Sequence, residues 1–240
     1  MLSVTTGQRE SAVVRTATVL DLEAAAEAVA PGAPLLICGE AGVGKDTLAR
    51  LIHAGSTRRS YAFIKVTCSA PSNDHHETDL FGQEQGPSTA VTRRRPGSFE
   101  FANRGTLYLD EIEALPACLA PKLLGVLRTG EVSRSGGRGI VSVDARLLAS
   151  TTFAYGMSTR VAEDLWHGLE RLGAVELRIP PLRRRPQEIP IFASFFLERM
   201  NHRYHRQARL CPEVIAELQE RAWPGNLREL EEAIRRLVLA

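Results

Sequence analysis

Apolar positions along the chain follow two periods. LLIC (35–38), FIKVTC (63–68), GTLYLDE (105–111), ARLLAST (145–151) and AVELRI (174–179) are short apolar or alternating runs bounded by turn-forming residues, and each predicts a strand. Between them the spacing turns helical. TLARLIH (47–53) puts Leu48, Leu51 and Ile52 on one face, and VLDLEAAAEAVA (19–30) predicts an alanine-rich amphipathic helix stopped by Pro31-Gly32. Strands alternating with helices predict a mostly parallel sheet covered on both faces. EVSRSGGRGIVSV (131–143) has Gly-Gly between alternating segments and predicts a hairpin.

After PPLRRRP (180–186) only helical patterns remain: EIPIFASFFLERM, PEVIAELQERA and NLRELEEAIRRLVL. We expect an α/β nucleotide-binding unit over 1–181 and a small all-helical unit over 182–240. Asn226 is placed to cap the last helix, with Glu229 completing a capping-box-like pair. Trp223-Pro224-Gly225 predicts a corner between two helices.

Composition narrows the options. The 30 Lys and Arg nearly cancel the 28 Asp and Glu, for a formal charge of +2, so no global basic field argues for nucleic acid. Cys38, Cys68, Cys118 and Cys211 form no CxxC pair and have no histidine at ligand spacing, which predicts buried small side chains in a reducing compartment. The adjacent His75-His76 predicts surface residues rather than ligands. No apolar run reaches a membrane span, and Arg9, Glu10, Arg15, Asp21 and Glu23 leave no signal-peptide core. A soluble, cytoplasmic protein without membrane contact is expected.

The chemistry begins at Gly39-Glu40-Ala41-Gly42-Val43-Gly44-Lys45-Asp46-Thr47, which has the GxxxxGK spacing of a P-loop between an apolar strand and a helix. Glycines let backbone N–H groups close on phosphate oxygens, the helix N-terminus favours their charge, and Lys45 reaches the terminal phosphates. Asp46 stands where Ser or Thr usually touches magnesium. Downstream, Leu107-Tyr108-Leu109-Asp110-Glu111 is a strand ending in two acids. Asp110 is expected to hold Mg2+, directly or through water, and Glu111 to polarise the attacking water. The expected cofactors are ATP or ADP with magnesium.

Taken together, GEAGVGKD, ETDLFGQEQG, GSFEFANRGTLYLDEI, PPLRRR and AWPGNLRELEEAI resemble the AAA+ domain of bacterial enhancer-binding proteins, the activators of sigma-54 RNA polymerase, from about residue 35 onward. The resemblance implies a three-layer P-loop AAA+ domain with a helical lid, self-association as a dimer or hexameric ring, and a sensor arginine, here Arg228. It also makes an acid after the P-loop lysine unremarkable.

Several positions depart from the family pattern. Where the family carries Gly-Ala-Phe-Thr-Gly-Ala, the loop that grips sigma-54, this chain reads Gly86-Pro87-Ser88-Thr89-Ala90-Val91. The aromatic contact is gone, a proline stiffens the loop, and Ala90 tolerates positive φ poorly. The family's FRxDLxxRL reads Val161-Ala162-Glu163-Asp164-Leu165-Trp166-His167-Gly168-Leu169, so both arginine-finger positions lack the guanidinium. Such a finger is worth about 10³–10⁵ in rate. Arg160 and Arg171 are displaced by at least two positions. The Asn that switches the family's catalytic glutamate is Thr67, and the Asn after the sensor Thr151 is Thr152.

These departures, beside an intact P-loop and Asp110-Glu111, predict a nucleotide-binding module of a transcription regulator, with weak or absent hydrolysis and no sigma-54 engagement. Its ligand is ATP or another nucleotide; some relatives bind cyclic di-GMP on this domain. The alternative is an active ATPase that remodels sigma-54 RNA polymerase; a loader or helicase is disfavoured by the LFGQEQG and FEFANRGTLYLDEI context. RNA polymerase or another transcription protein is the expected partner. No helix-turn-helix follows residue 240, so DNA is expected to be met only through a domain outside this chain. Arg93, Arg94 and Arg95 predict a solvated loop, with an acidic partner at a ring pore as the minority reading. Arg183–Arg185 resemble the family's basic linker near bound nucleotide.

Overall fold

The computed structural model describes residues 3–4, 13–15, 32–69, 75–84, 94–137, 139–152 and 160–240, with 3–4, 13–15 and 160–162 described by backbone alone. The helix expected over 19–30 and the loop at 86–91 lie outside the described residues, as do Arg93 and the Arg160 side chain.

One sheet organises the α/β part. Its strands are β1 (Ser3–Val4), β2 (Val13–Arg15), β3 (Leu35–Cys38), β4 (Phe63–Thr67), β5 (Thr106–Asp110), β8 (Arg146–Thr151) and β9 (Val175–Arg178), in the spatial order β1-β2-β9-β3-β8-β5-β4. Only the β1–β2 pair is antiparallel. The expected hairpin forms from β6 (Glu131–Ser133) and β7 (Ile140–Ser142), a separate two-stranded sheet.

The central strands are buried on both faces, which is why they read as continuous apolar runs. Alternation sends Leu36, Cys38, Leu107, Leu109, Leu147 and Ala149 to one side. There they meet Leu123 and Val126 of α4 (Ala120–Thr129) and Leu165, Trp166 and Leu169 of α5 (Arg160–Arg171). Leu35, Ile37, Tyr108, Leu148 and Leu177 face the other side, where Leu48, Ala49 and Ile52 of α1 (Lys45–Gly55) cover them. Between β4 and β5 lie two short helices, α2 (His76–Phe81) and α3 (Ser98–Phe101), joined through stacked Phe81 and Phe99.

A third apolar cluster belongs to α6 (Ile189–Tyr204), α7 (Pro212–Glu220) and α8 (Asn226–Leu239), centred on Phe196, Met200, Leu218, Trp223, Leu230 and Ile234. Trp223 forms the expected corner, its Nε1 donating to Leu218 O at 2.7 Å.

Three expectations fail locally. Asn226 does not cap α8: it sits in the left-handed region (φ 53°) with its side chain turned away, while Glu229 alone accepts from Gly225 N at 2.7 Å. Tertiary partners outcompete the local cap, as described below. Cys38 and Cys68 are buried, but Cys118 and Cys211 are exposed, because both precede helices at the surface rather than lying in strands. His76 is buried at 4 % exposure, since the first turn of α2 faces inward. Among the described residues no helix is long and apolar enough to cross a membrane, and no group of three or more His, Cys, Asp or Glu gathers as a metal cluster.

Candidate functional site

Parallel strands end on the same side of a sheet, so the loops after β3, β5 and β8 meet at one crevice. Gly39 follows β3 and donates its N–H to Thr151 O of β8 at 3.2 Å. The chain then turns through Gly42 (φ 76°) and Gly44 (φ 106°) into α1, a backbone that residues with a Cβ adopt poorly. The N–H groups of the first helical turn have no intrahelical partners and face the crevice mouth. Lys45 Nζ bridges Gly39 O at 2.7 Å and Glu40 O at 3.1 Å. Burial pulls its pKa down, against the opposing field of Asp110 and the neighbouring acids.

The two acids after β5 are held separately. Asp110 Oδ1 accepts from Ser150 Oγ at 2.5 Å and Tyr108 OH at 3.1 Å, and its Oδ2 faces Lys65 Nζ at 2.8 Å. Burial opposes its charge, but Lys65 and Ser150 outweigh burial and hold the carboxyl below its ordinary value. Glu111 lies in the left-handed region (φ 58°), a strained turn for a residue with a Cβ, and Ser69 Oγ donates to its Oε2. Two residues on, Glu113 Oε1 accepts from Thr152 N at 3.1 Å and Thr152 Oγ1 at 2.8 Å. Thr152 therefore spends its hydroxyl on Glu113.

Asp46, in the first turn of α1, reaches Lys65 Nζ through Oδ1 at 2.8 Å and Arg50 Nε through Oδ2 at 3.0 Å. Burial works against its ionisation; the two cations prevail and its pKa is lowered. Lys65 moves the opposite way: burial is outweighed by its bonds to Asp110 and Asp46, which raise its pKa.

The helical unit closes directly on the P-loop. Asn226, fully buried, accepts from Leu182 N at 2.8 Å and donates to Ala41 O at 3.0 Å and Glu40 Oε2 at 3.1 Å. Leu227 N donates to Gly42 O at 2.9 Å. Arg183 forms a forked pair with Glu40, at 2.6 and 2.8 Å, that keeps the carboxylate ionised. Arg185, fully buried, donates to Val43 O at 2.9 Å and Glu188 Oε2 at 2.9 Å. A Cβ on Gly42 would lie 2.3 Å from Gly225 O. Glu40, Ala41, Gly42 and Val43 are thus all tied to the lid side.

These elements enclose a cleft of about 660 Å³. Ala41, Gly42, Gly44, Lys45, Asp46 and Thr47 form its floor, Lys65, Asp110, Glu111 and Thr152 one wall, and Ile191, Phe192, Phe195, Leu227 and Arg228 the other. Of the expected residues, Ala41, Gly42, Gly44, Lys45, Asp46, Thr47, Asp110, Glu111 and Arg228 line this cleft, Arg228 exposed on the lid wall; Gly39, Glu40 and Val43 are not among its lining, Glu40 being turned to Arg183. The cleft is polar at the phosphate end and apolar at the lid end, which suits a phosphorylated ligand with a flat ring.

Sequence reasoning missed Lys65, Ser69, Ser150 and Glu113. Lys65 carried a signal, as the charged member of a mostly apolar strand ending near the cleft; the others depend on long-range partners. Thr67 pairs in register with Asp110, but the hydroxyl on Glu111 is that of Ser69. At the second finger position, Gly168 lets α5 approach α4: a Cβ there would lie 2.3 Å from Leu124 Cδ1 and 3.2 Å from its Cγ. Arg94 and Arg95 are exposed and paired with Glu100 at 3.6 Å and Asp79 at 3.1 Å.

The chain is 40% identical over 216 residues to the DNA-binding transcriptional activator HyfR of Escherichia coli (strain K12), covering 85% of this chain and 31% of the relative. It is 42% identical over 205 residues to the Nif-specific regulatory protein of Rhizobium meliloti (strain 1021), covering 84% and 37%. It thus spans about a third of the length of these relatives. Among solved structures, NtrX from Brucella abortus in complex with ATP superposes with a TM-score of 0.79 at 34% identity, over 98% of this chain and 53% of that one. The ADP complex of the same protein gives 0.78 at 33%, over 92% and 48%. With the sigma-54 interaction domain matched over residues 12–175 and the AAA+ ATPase lid domain over 183–240, the chain belongs to the sigma-54 interaction domain family of AAA+ transcription regulators.

Proposed function

We propose that this chain is the nucleotide-binding module of a bacterial transcription regulator, binding ATP, ADP or a related nucleotide to control assembly or partner contacts, with little or no hydrolysis and no grip on sigma-54. The observation that carries it is the seam between the P-loop and the lid: a phosphate on the loop acts on residues that also hold the lid. The NtrX complexes with ATP and ADP support a nucleotide as the ligand. We divide the chain at 182, with an α/β unit over 1–181 and a lid over 182–240; the separate apolar cluster from Leu182 to Val238 supports this division.

Lys45 gives up its carbonyl partners for phosphate oxygens, and the N–H groups of Gly42, Gly44, Asp46 and Thr47 close around them. Asp46 Oδ1 and Asp110 Oδ2 already converge on one cation, Lys65, so the seat offers the hard carboxylate oxygens that Mg2+ requires. Asp110 with Asp46 would hold the ion, which when bound gathers phosphate charge. Arg228 faces the phosphates from the lid. Glu111 would orient water, but its carboxylate is engaged by Ser69, and the finger positions in α5 hold Ala162 and Gly168. Self-association as a dimer or ring, and contact with RNA polymerase or another transcription protein, complete the proposal.

The test is steady-state ATP hydrolysis over a wide range of protein concentration, with nucleotide binding measured in parallel and Lys45→Ala as blank. Binding without turnover is the expected result. A per-subunit rate that rises with concentration, depends on Glu111 and vanishes in Lys45→Ala would instead establish an active ATPase of the kind that remodels sigma-54 polymerase. The ordered Asp110-Glu111 pair favours that second reading.

A further inference from the structure

Lys65 lies in β4, on neither the P-loop nor the acidic strand end, yet it is the side chain that joins them. Its ammonium is 2.8 Å from Asp46 Oδ1 and 2.8 Å from Asp110 Oδ2. Its position is fixed from below, where the ammonium stands 5.5 Å from the centre of the Tyr108 ring. The other oxygen of each carboxylate is occupied: Asp110 Oδ1 by Ser150 and Tyr108, Asp46 Oδ2 by Arg50. Each acid therefore presents one oxygen to the same point, and that point holds a lysine.

An ammonium is a compact point charge on a flexible stem. Magnesium wants oxygens in near-octahedral array, and usually takes one or two carboxylates plus substrate phosphates. The two cations seek the same pair of oxygens. We infer that Lys65 is a built-in counter-cation of the metal seat, setting how strongly nucleotide binding depends on a divalent ion by competing with that ion for Asp46 and Asp110. This rests on the nucleotide reading above.

Two consequences follow from the charges. With Lys65 present, the carboxylates are already neutralised toward an incoming phosphate, so nucleotide binds with little need for metal. Without its charge, Asp110 loses its ion-pair partner and Asp46 keeps only Arg50, so a divalent ion becomes both better bound and more necessary.

The test uses the whole chain as wild type, Lys65→Met, which keeps the stem over Tyr108, and Lys65→Gln, which keeps a donor without the charge. Thermal unfolding identifies whichever variants are folded. Mn2+ is titrated into nucleotide-free protein and followed by its paramagnetic resonance signal. ADP binding is measured calorimetrically in excess EDTA and in excess Mg2+. We expect Mn2+ affinity to rise about tenfold in either variant, and the ratio of ADP affinities with and without Mg2+ to go from about threefold or less in wild type to about tenfold or more. Equal Mn2+ affinities in wild type and a folded variant overturn the inference, as does a wild-type protein that binds ADP only with Mg2+. If ADP binds in no condition, the nucleotide reading fails while the Mn2+ titration still decides the role of Lys65.

Discussion

Replacing Asn226 with alanine tests the seam between P-loop and lid. The side chain is fully buried and serves Leu182 N, Ala41 O and Glu40 Oε2 at 2.8, 3.0 and 3.1 Å. Alanine strands the buried Leu182 N–H, while the carbonyl of exposed Ala41 can turn to water and Glu40 keeps Arg183. A buried backbone group left unpaired costs roughly 1–3 kcal/mol. Alanine must also hold φ near 53°, where Asn is tolerated and a plain Cβ costs about 1 kcal/mol. Together these give about 2–4 kcal/mol, a large share of the roughly 5–15 kcal/mol that holds a domain folded. Equilibrium urea unfolding measures the loss, with Trp223 as probe in a Trp166→Phe background, since Trp223 packs in the same corner. Asn226→Gly loses the same bonds but regains the backbone freedom, and should recover about 1 kcal/mol relative to alanine. An alanine variant within about 0.5 kcal/mol of wild type, the usual range for an inert surface change, would refute this account. So would a glycine variant less stable than alanine.

Three further outcomes are expected. Gly42→Ala, with its Cβ against Gly225 O and its φ of 76°, should weaken ADP binding at least about tenfold while the β-sheet core stays folded, read by calorimetry and circular dichroism. Arg134 is buried between Glu84 and Glu100, and its hydrogen bonds hold the Glu100 pKa below the ordinary 4.5 against the raising effect of burial. A depressed carboxylate pKa contributes stability above 4.5 that is lost as pH falls through the folded value, so Arg134→Met should cost about 3–5 kcal/mol at neutral pH and flatten the acid-unfolding profile below pH 4.5. Thiol titration of the native protein should modify Cys118 and Cys211 promptly and leave Cys38 and Cys68 until unfolding, the Cys68 thiol being pushed up to about 12 by burial.

What could be read in advance divides by the range of the interaction. Strands β3, β4, β5, β8 and β9 and the P-loop were legible because alternation, apolar runs and glycine spacing are local properties, whereas β1 and β2, of two and three residues, are too short to show a period. Asp110 and Glu111 were legible because a strand end fixes where they point. The seam was not: Arg185 and Asn226 find their partners more than 140 residues away, and a local cap and a tertiary contact look alike in NLRE. His76 failed for the same reason, since a six-residue helix has no periodicity strong enough to say which way its first turn faces. Lys65 was visible as a letter, but its meaning required β4 and β5 to lie side by side.

Gly168 ties any change at its own position to Leu124. Its missing side chain lets Leu124 of α4 fill the space that a residue at this position of α5 would need. An arginine placed there meets the end of the half-buried Leu124 side chain, which has to turn aside to admit it. Shortening Leu124, to alanine or valine, clears the position, and the same arginine then enters without collision. The two substitutions touch one another and are therefore non-additive: an arginine at 168 is better tolerated beside a shortened Leu124 than beside the native one.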